Sequence, residues 1–167
     1  MFEDFLIKWF EPYLDFDYFK SVNLYGDELA QLAKKNLNAK SIGLKLKAHV
    51  GEFGDADSIQ ETVEILELNV VQHGITEVKS KSVMSFLRKK NNIQLNICPT
   101  SNYMLSRVDS IKKHPIRKLF YNGIKVTVNT DDFIVFQKGV SEEFLLLYEH
   151  EVFSAKELDI IRMNGLI

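Results

Sequence analysis

Cysteine occurs once in the 167 residues, at position 98. An intrachain disulfide is therefore impossible, and a zinc site built from cysteines is excluded. An excess of either charge is also missing: 21 Lys and Arg stand against 23 Asp and Glu, a formal net charge of −2. With no basic block, neither nucleic acid nor an anionic membrane surface has electrostatic support as a partner. No apolar run approaches the ~18 residues of a membrane span. The opening MFEDFLIKWFEPYL carries acids at residues 3, 4 and 11 and a proline at 12, which is not the basic-then-apolar layout of a signal peptide. A protein of the reducing cytoplasm is the expectation. There is no linker, low-complexity tract or internal repeat, so residues 1–167 read as one domain.

What the chain does have is an alternation of two periodicities. Short apolar-rich stretches, VNLY (22–25), KLKAHV (45–50), NVVQH (69–73), IQLNIC (93–98) and KVTVNT (125–130), read as strands. Between them, DELAQLAKKNLNAK (27–40), DSIQETVEILEL (57–68) and TEVKSKSVMSFLRKK (76–90) space apolar residues by three and four and open on Asp or Thr caps. HPIRKLFYNG (114–123) has the Pro-first, Gly-last asymmetry of a short helix. SEEFLLLYEH (141–150) and SAKELDIIRMNG (154–165) open on serines with acids close behind, and the first 19 residues read as helix interrupted near Pro12. Strand and helix in turn, five times over, predict an α/β fold with a parallel sheet.

The strands are two-faced. Lys45, Lys47 and His49 oppose Leu44, Leu46 and Ala48; Gln94, Asn96 and Cys98 oppose Ile93, Leu95 and Ile97; Lys125, Thr127, Asn129 and Asp131 oppose Ile124, Val126 and Val128. A doubly wound sheet, covered on both sides, would read as continuous apolar runs. A partial (β/α)8 barrel with a polar interior fits better; its plainer competitor is a sheet with one solvated face.

Four features fall at the carboxyl ends of predicted strands: His49, His73, the Cys98-Pro99 corner and the pair Asp131-Asp132. In a β/α barrel those ends converge on the face where catalysis is built. Imidazole and carboxylate are suitable zinc ligands, and adjacent carboxylates need a cation or a proton between them. Glu52 could serve as a general acid if burial raises its pKa. The plain alternative for Asp131-Asp132 is a cap on the apolar run FIVF (133–136) that follows.

The series YGDE (25–28), HVGE (49–52), QHG (72–74), CPTSN (98–102), HPIRKL (114–119) and VNTDD (128–132) resembles the carboxyl-terminal part of the adenosine deaminases, in order from about residue 20 to the end. FSAKELDIIRMNGL (153–166) looks like that family's last helix. The resemblance implies a zinc-dependent aminohydrolase on a (β/α)8 barrel that turns adenosine into inosine and ammonia. It further implies that His49 ligates zinc, that Glu52 protonates the purine ring nitrogen beside the reacting carbon, and that His73 orients or deprotonates the attacking water. Asp131 would ligate zinc and hold that water, Asp132 would bond the imidazole part of the purine, and Gly26 would offer its backbone N–H to the base.

Two departures qualify the match. The family carries two more zinc-ligating histidines as H-x-H on its first strand, and no histidine precedes residue 49 here. NTDDF also replaces the commoner NTDDP. Five strands against eight make the resemblance begin near the fourth strand, an incomplete barrel that lacks the first strands. A second chain or self-association covering the open edges is the implied partner. The alternatives are a non-catalytic remnant or interaction module of the same fold, and a deaminase of adenine or another 6-aminopurine.

Overall fold

The computed structural model describes residue 18 and residues 20–24, 44–52, 57–90 and 92–166. Residue 18 apart, the helices expected over 1–19 and 27–40, and Gly26 with its YGDE motif, lie outside the described residues. Five strands, β1 (Ser21–Leu24), β2 (Lys45–Val50), β3 (Val70–His73), β4 (Gln94–Ile97) and β5 (Lys125–Val128), form one sheet in which each pairs in parallel with its predecessor. A doubly wound sheet reverses its strand order at a switch point. This order never reverses, so the sheet is an arc of a β/α barrel.

Register explains the two faces. Ala48, Val71, Leu95 and Val126 stand in one row across four strands, all with essentially no exposure. Against that row pack Ile59, Val63 and Leu66 of α1 (Asp57–Leu66), Val83 and Leu87 of α2 (Lys81–Lys89), and Ile116 and Leu119 of α4 (Ile116–Tyr121). Burying such side chains contributes roughly 1.5–3 kcal/mol each. The neighbouring row, His49, Gln72, Asn96 and Thr127, is polar. Asn96 Oδ1 accepts from Gln94 Nε2 and from Thr127 Oγ1, both at 2.8 Å, and Thr127 Oγ1 accepts from Asn129 Nδ2 at 2.7 Å. Asn96 and Thr127 are buried, so this is a hydrogen-bonded interior and not a solvated sheet face. Lys47 lies half-buried on the same side.

Local chemistry departs from the sequence reading in two places. The segment 76–90 is two elements, a 3-10 turn over Thr76–Lys79 and then α2, because the Ser80 hydroxyl accepts the Val83 N–H and starts a new helix. The helix expected to open on Ser141 is α6 (Val140–Glu149); Glu142 turns back to accept the Gly139 N–H at 2.7 Å, which moves the cap two residues upstream. Residues 133–136 form a single helical turn, α5 (Phe133–Phe136), whose Phe133, Ile134 and Val135 are exposed. The last helix, α7 (Ala155–Asn164), carries the expected Ser154–Glu157 capping box and lies on β5, where Asn164 Nδ2 donates to the Val126 carbonyl at 3.0 Å. Among the described residues no helix is long and apolar enough to cross a membrane.

His114 is a structural group. It is 2 % exposed, its Nδ1 accepts the Ile116 N–H at 3.1 Å to start α4, and burial pushes its pKa down to about 3. A base whose folded pKa is depressed binds fewer protons in the folded than in the unfolded chain between those two values, so stability falls as pH drops from about 6.5 toward 3. His114→Asn keeps an acceptor for the Ile116 N–H and removes the titration. Urea unfolding across that window is expected to show a pH slope shallower than wild type by up to about 1.4 kcal/mol per pH unit, with little change above it.

Candidate functional site

The carboxyl end of the sheet is tied together before any charged side chain enters it. Gly51 takes φ 72°, a left-handed turn that suits glycine. Its carbonyl accepts N–H groups from both Ile75 and Thr76 at 3.1 Å, and the Val50 carbonyl accepts the Gly74 N–H at the same distance. The turn after β2 is thereby locked to the turn after β3, and Glu52, three residues past His49, is folded back over the strand ends with 8 % exposure.

His73 reaches the site by breaking the alternation. By register it stands opposite Val50, on the apolar side. Its backbone has φ 65°, followed by Gly74 at φ 64°, and the ring lies with its centroid 5.1 Å from that of His49. A left-handed conformation is uncommon outside glycine, although histidine tolerates it better than most residues.

Around this ring the acids gather. His73 Nε2 is 3.3 Å from Glu52 Oε2 and 3.9 Å from Asp131 Oδ2. Asp131 is held from two directions: the Ser101 hydroxyl donates to Oδ2 at 2.6 Å, and the Asp132 N–H donates to Oδ1 at 3.1 Å. Asp132 points its own carboxylate forward, where Oδ1 accepts the N–H groups of Ile134 and Val135 at 2.9 and 3.3 Å. The capping reading of this residue is what the structure presents, and it is exposed. His49, Glu52, His73 and Asp131 are thus brought together; Asp132 stands at the rim.

Burial sets the ionisation of the cluster. Desolvation, reinforced by the Asp131 charge and opposed by Arg107, pushes Glu52 up to about 7. Desolvation pushes His73 down to about 4 although Asp131 pulls the other way, with the neighbouring His49 adding to the fall. His49 is lowered for the same leading reason. Burial also raises the Cys98 thiol, with Asp131, Glu143 and Glu52 adding to it, so the lone cysteine is an unreactive wall residue.

Four supporting residues were not singled out from sequence. Asn23 of β1 pairs its Nδ2 with His49 Nε2 at 3.0 Å. Ser101 and Asn102 lie in CPTSN, on the buried first turn of α3 (Pro99–Met104); Asn102 Nδ2 meets His73 Nδ1 at 3.2 Å. Glu143 of α6 is 1 % exposed and accepts the Thr100 N–H, which anchors that turn from behind. Burial raises its pKa, and the Thr100 hydrogen bonds oppose the rise. CPTSN was visible as a motif, but only the strand–helix corner could be read from it. Nothing in EE (142–143) marks the second glutamate as buried.

One ligand atom each from His49, Glu52 and His73 lies within 4.8 Å of the others. Two uncharged imidazoles and a carboxylate are a donor set that zinc accepts, and Glu52 Oε1 is a buried oxygen with no hydrogen-bond partner among the described residues. The residues present therefore fit a metal at this point, with Asp131 beside it.

Known proteins resemble this chain in sequence and in fold. A family model described as adenosine deaminase matches residues 20–167. A Treponema pallidum (strain Nichols) protein, named provisionally as an adenosine/adenine deaminase, is 40% identical over 143 residues, 83% of this chain and 48% of its own length. Among solved structures, adenine deaminase from Arthrobacter aurescens aligns with a TM-score of 0.88 at 27% identity, covering 98% of this chain and 51% of that one. An amidohydrolase of Burkholderia ambifaria with bound zinc aligns at 0.85 and 25% identity, covering 98% and 47%. The chain spans about half the length of these relatives.

Replacing Glu143 isolates its anchoring role. Glu143→Leu leaves the Thr100 N–H buried and unpaired, and equilibrium urea unfolding is expected to show a loss of ~1–3 kcal/mol, with Glu143→Gln losing clearly less.

Proposed function

The chain belongs to the adenosine deaminase family, and on that premise we propose that it carries the carboxyl-terminal half of the catalytic barrel of a zinc-dependent purine aminohydrolase. The reaction is the exchange of the 6-amino group for oxygen: adenosine and water give inosine and ammonia. The observation that carries this reading is the meeting of His49, Glu52, His73 and Asp131 at the ends of three strands.

His49 and Asp131 are the zinc ligands of this chain, and the remaining ligands come from strands outside residues 1–167, whether on the same chain or on a second one. Zinc held there supplies Lewis acidity that brings a water's pKa toward ~7. Glu52, titrating at about 7, is still partly protonated near neutral pH, and its protonated form delivers the proton to the ring nitrogen beside the reacting carbon. His73, uncharged at that pH, orients the attacking water. Asp131 holds the same water, and Asp132, at the rim, bonds the imidazole part of the purine. Gly26 offers its N–H to the base. Adenosine is the substrate of this reading; adenine is the competing one, because the relatives carry both names. The setting is the cytoplasm.

Zinc content and turnover test the reading together. Residues 1–167 alone are expected to hold zinc weakly and to form no inosine. Added to a chain or segment bearing an H-x-H strand, they are expected to gain stoichiometric zinc and to release ammonia from adenosine faster than from adenine. In that active form Glu52→Gln is expected to retain zinc and lose at least ~100-fold in kcat, whereas His49→Ala and Asp131→Ala lose the metal. Loss of zinc in Glu52→Gln would instead make Glu52 a ligand, as its proximity to both imidazoles allows. Failure of the completed form to deaminate any 6-aminopurine would leave a non-catalytic remnant of the fold.

A further inference from the structure

We propose that Asn102 is a positioning residue: its side-chain amide donates to His73 Nδ1, fixes the proton of that ring on Nε2, and so leaves Oε1 as the oxygen of Glu52 from which a proton can be given. The significance of the last step rests on the deaminase reading; the tautomer itself does not.

Two ends of the ring point to the same assignment. At the near end, Asn102 is wholly buried, and its Nδ2 lies 3.2 Å from Nδ1 while its Oδ1 has no hydrogen-bond partner among the described residues. Reversing the amide would let Oδ1 accept from an Nδ1–H but would bury the NH2 group unpaired. Orphaned buried N–H groups are rarer than under-satisfied carbonyl oxygens, which favours the amide as donor and Nδ1 as acceptor. At the far end, Nε2 faces the Glu52 carboxyl at 3.3 Å and the Asp131 carboxylate at 3.9 Å. A lone pair on Nε2 would be repelled by the Asp131 carboxylate, whereas an N–H is attracted. A neutral imidazole has one proton, and both ends place it on Nε2.

The consequence reaches Glu52. Its Oε2 faces the His73 Nε2–H at 3.3 Å, so a hydrogen on Oε2 would point at that N–H, and when Glu52 is protonated the proton sits on Oε1. That oxygen is buried with no hydrogen-bond partner among the described residues, and a proton there is not consumed by a hydrogen bond to any of them. Asn102 thus acts through His73 on the acid, without touching any reacting atom.

The chain contains its own reference. His114 Nδ1 accepts the Ile116 backbone N–H, which can only donate, so His114 is an Nε2–H ring by necessity. With four histidines in 167 residues, long-range proton–nitrogen correlation NMR of the metal-free chain near neutral pH resolves each ring. His73 is expected to share the pattern of His114, a bare Nδ1 and a protonated Nε2. Asn102→Asp replaces the donor with an acceptor and is expected to put a proton on His73 Nδ1 while the His114 pattern stays as it was. A wild-type His73 protonated on Nδ1 would overturn the proposal, and needs no variant to fold. So would an Asn102→Asp chain with native His114 signals in which His73 Nδ1 stays bare. Neither result depends on turnover, so a chain that never deaminates a purine leaves this test intact.

Discussion

Desolvation beside a single negative charge is the constraint on which the site depends. Asp131 is held in place by the Ser101 hydroxyl and the Asp132 N–H, and its field reaches Glu52, His73, His49 and Cys98. In water that charge would favour imidazolium rings. Burial outweighs it: His73 falls to about 4 and Glu52 rises to about 7. The same burial therefore keeps the imidazole uncharged and lets Glu52 hold its proton up to about 7, with Nε2 and Oε2 3.3 Å apart. Two groups that elsewhere form an ion pair here divide into roles.

The fold supplies that burial through backbone devices at the strand ends. Gly51 turns the chain so that Glu52 covers the tips of β2 and β3, and its carbonyl binds the turn beyond β3. His73 leaves the apolar row only because its backbone adopts a left-handed conformation. That strain, of order 1–3 kcal/mol, is offset by the hydrogen bonds of Gly74, Ile75 and Thr76 around it. From behind, Glu143 fixes the first turn of α3, and that turn presents Ser101 to Asp131 and Asn102 to His73.

Much of this was legible in the letters, and what was not has physical reasons. The strict alternation in KLKAHV, IQLNIC and KVTVN placed β2, β4 and β5 and both their faces, because a period of two leaves only one register that buries Leu46, Leu95 and Val126 together. His49 and Asp131 could be placed for the same reason. His73 was put at the right strand end, but its side of the sheet is set by one dihedral, which no pattern of residue types encodes. Asn23 and Glu143 act through partners 26 and 43 residues away, beyond any local window. Ser80 shows the complementary failure: apolar spacing ran on through 76–90, while a serine hydroxyl competing for the backbone divided the segment in two.

The ionisation state is the point where sequence, fold and chemistry meet, and carbon-13 NMR of the Glu52 side-chain carboxyl reads it directly. Followed with pH in the metal-free chain, that signal should titrate near 7, displaced upward by burial and by Asp131, and Asp131→Asn should bring the midpoint down. A midpoint near the ordinary 4.5, unmoved by Asp131→Asn, would mean that the acid is solvated and that the strand ends do not enclose the site described.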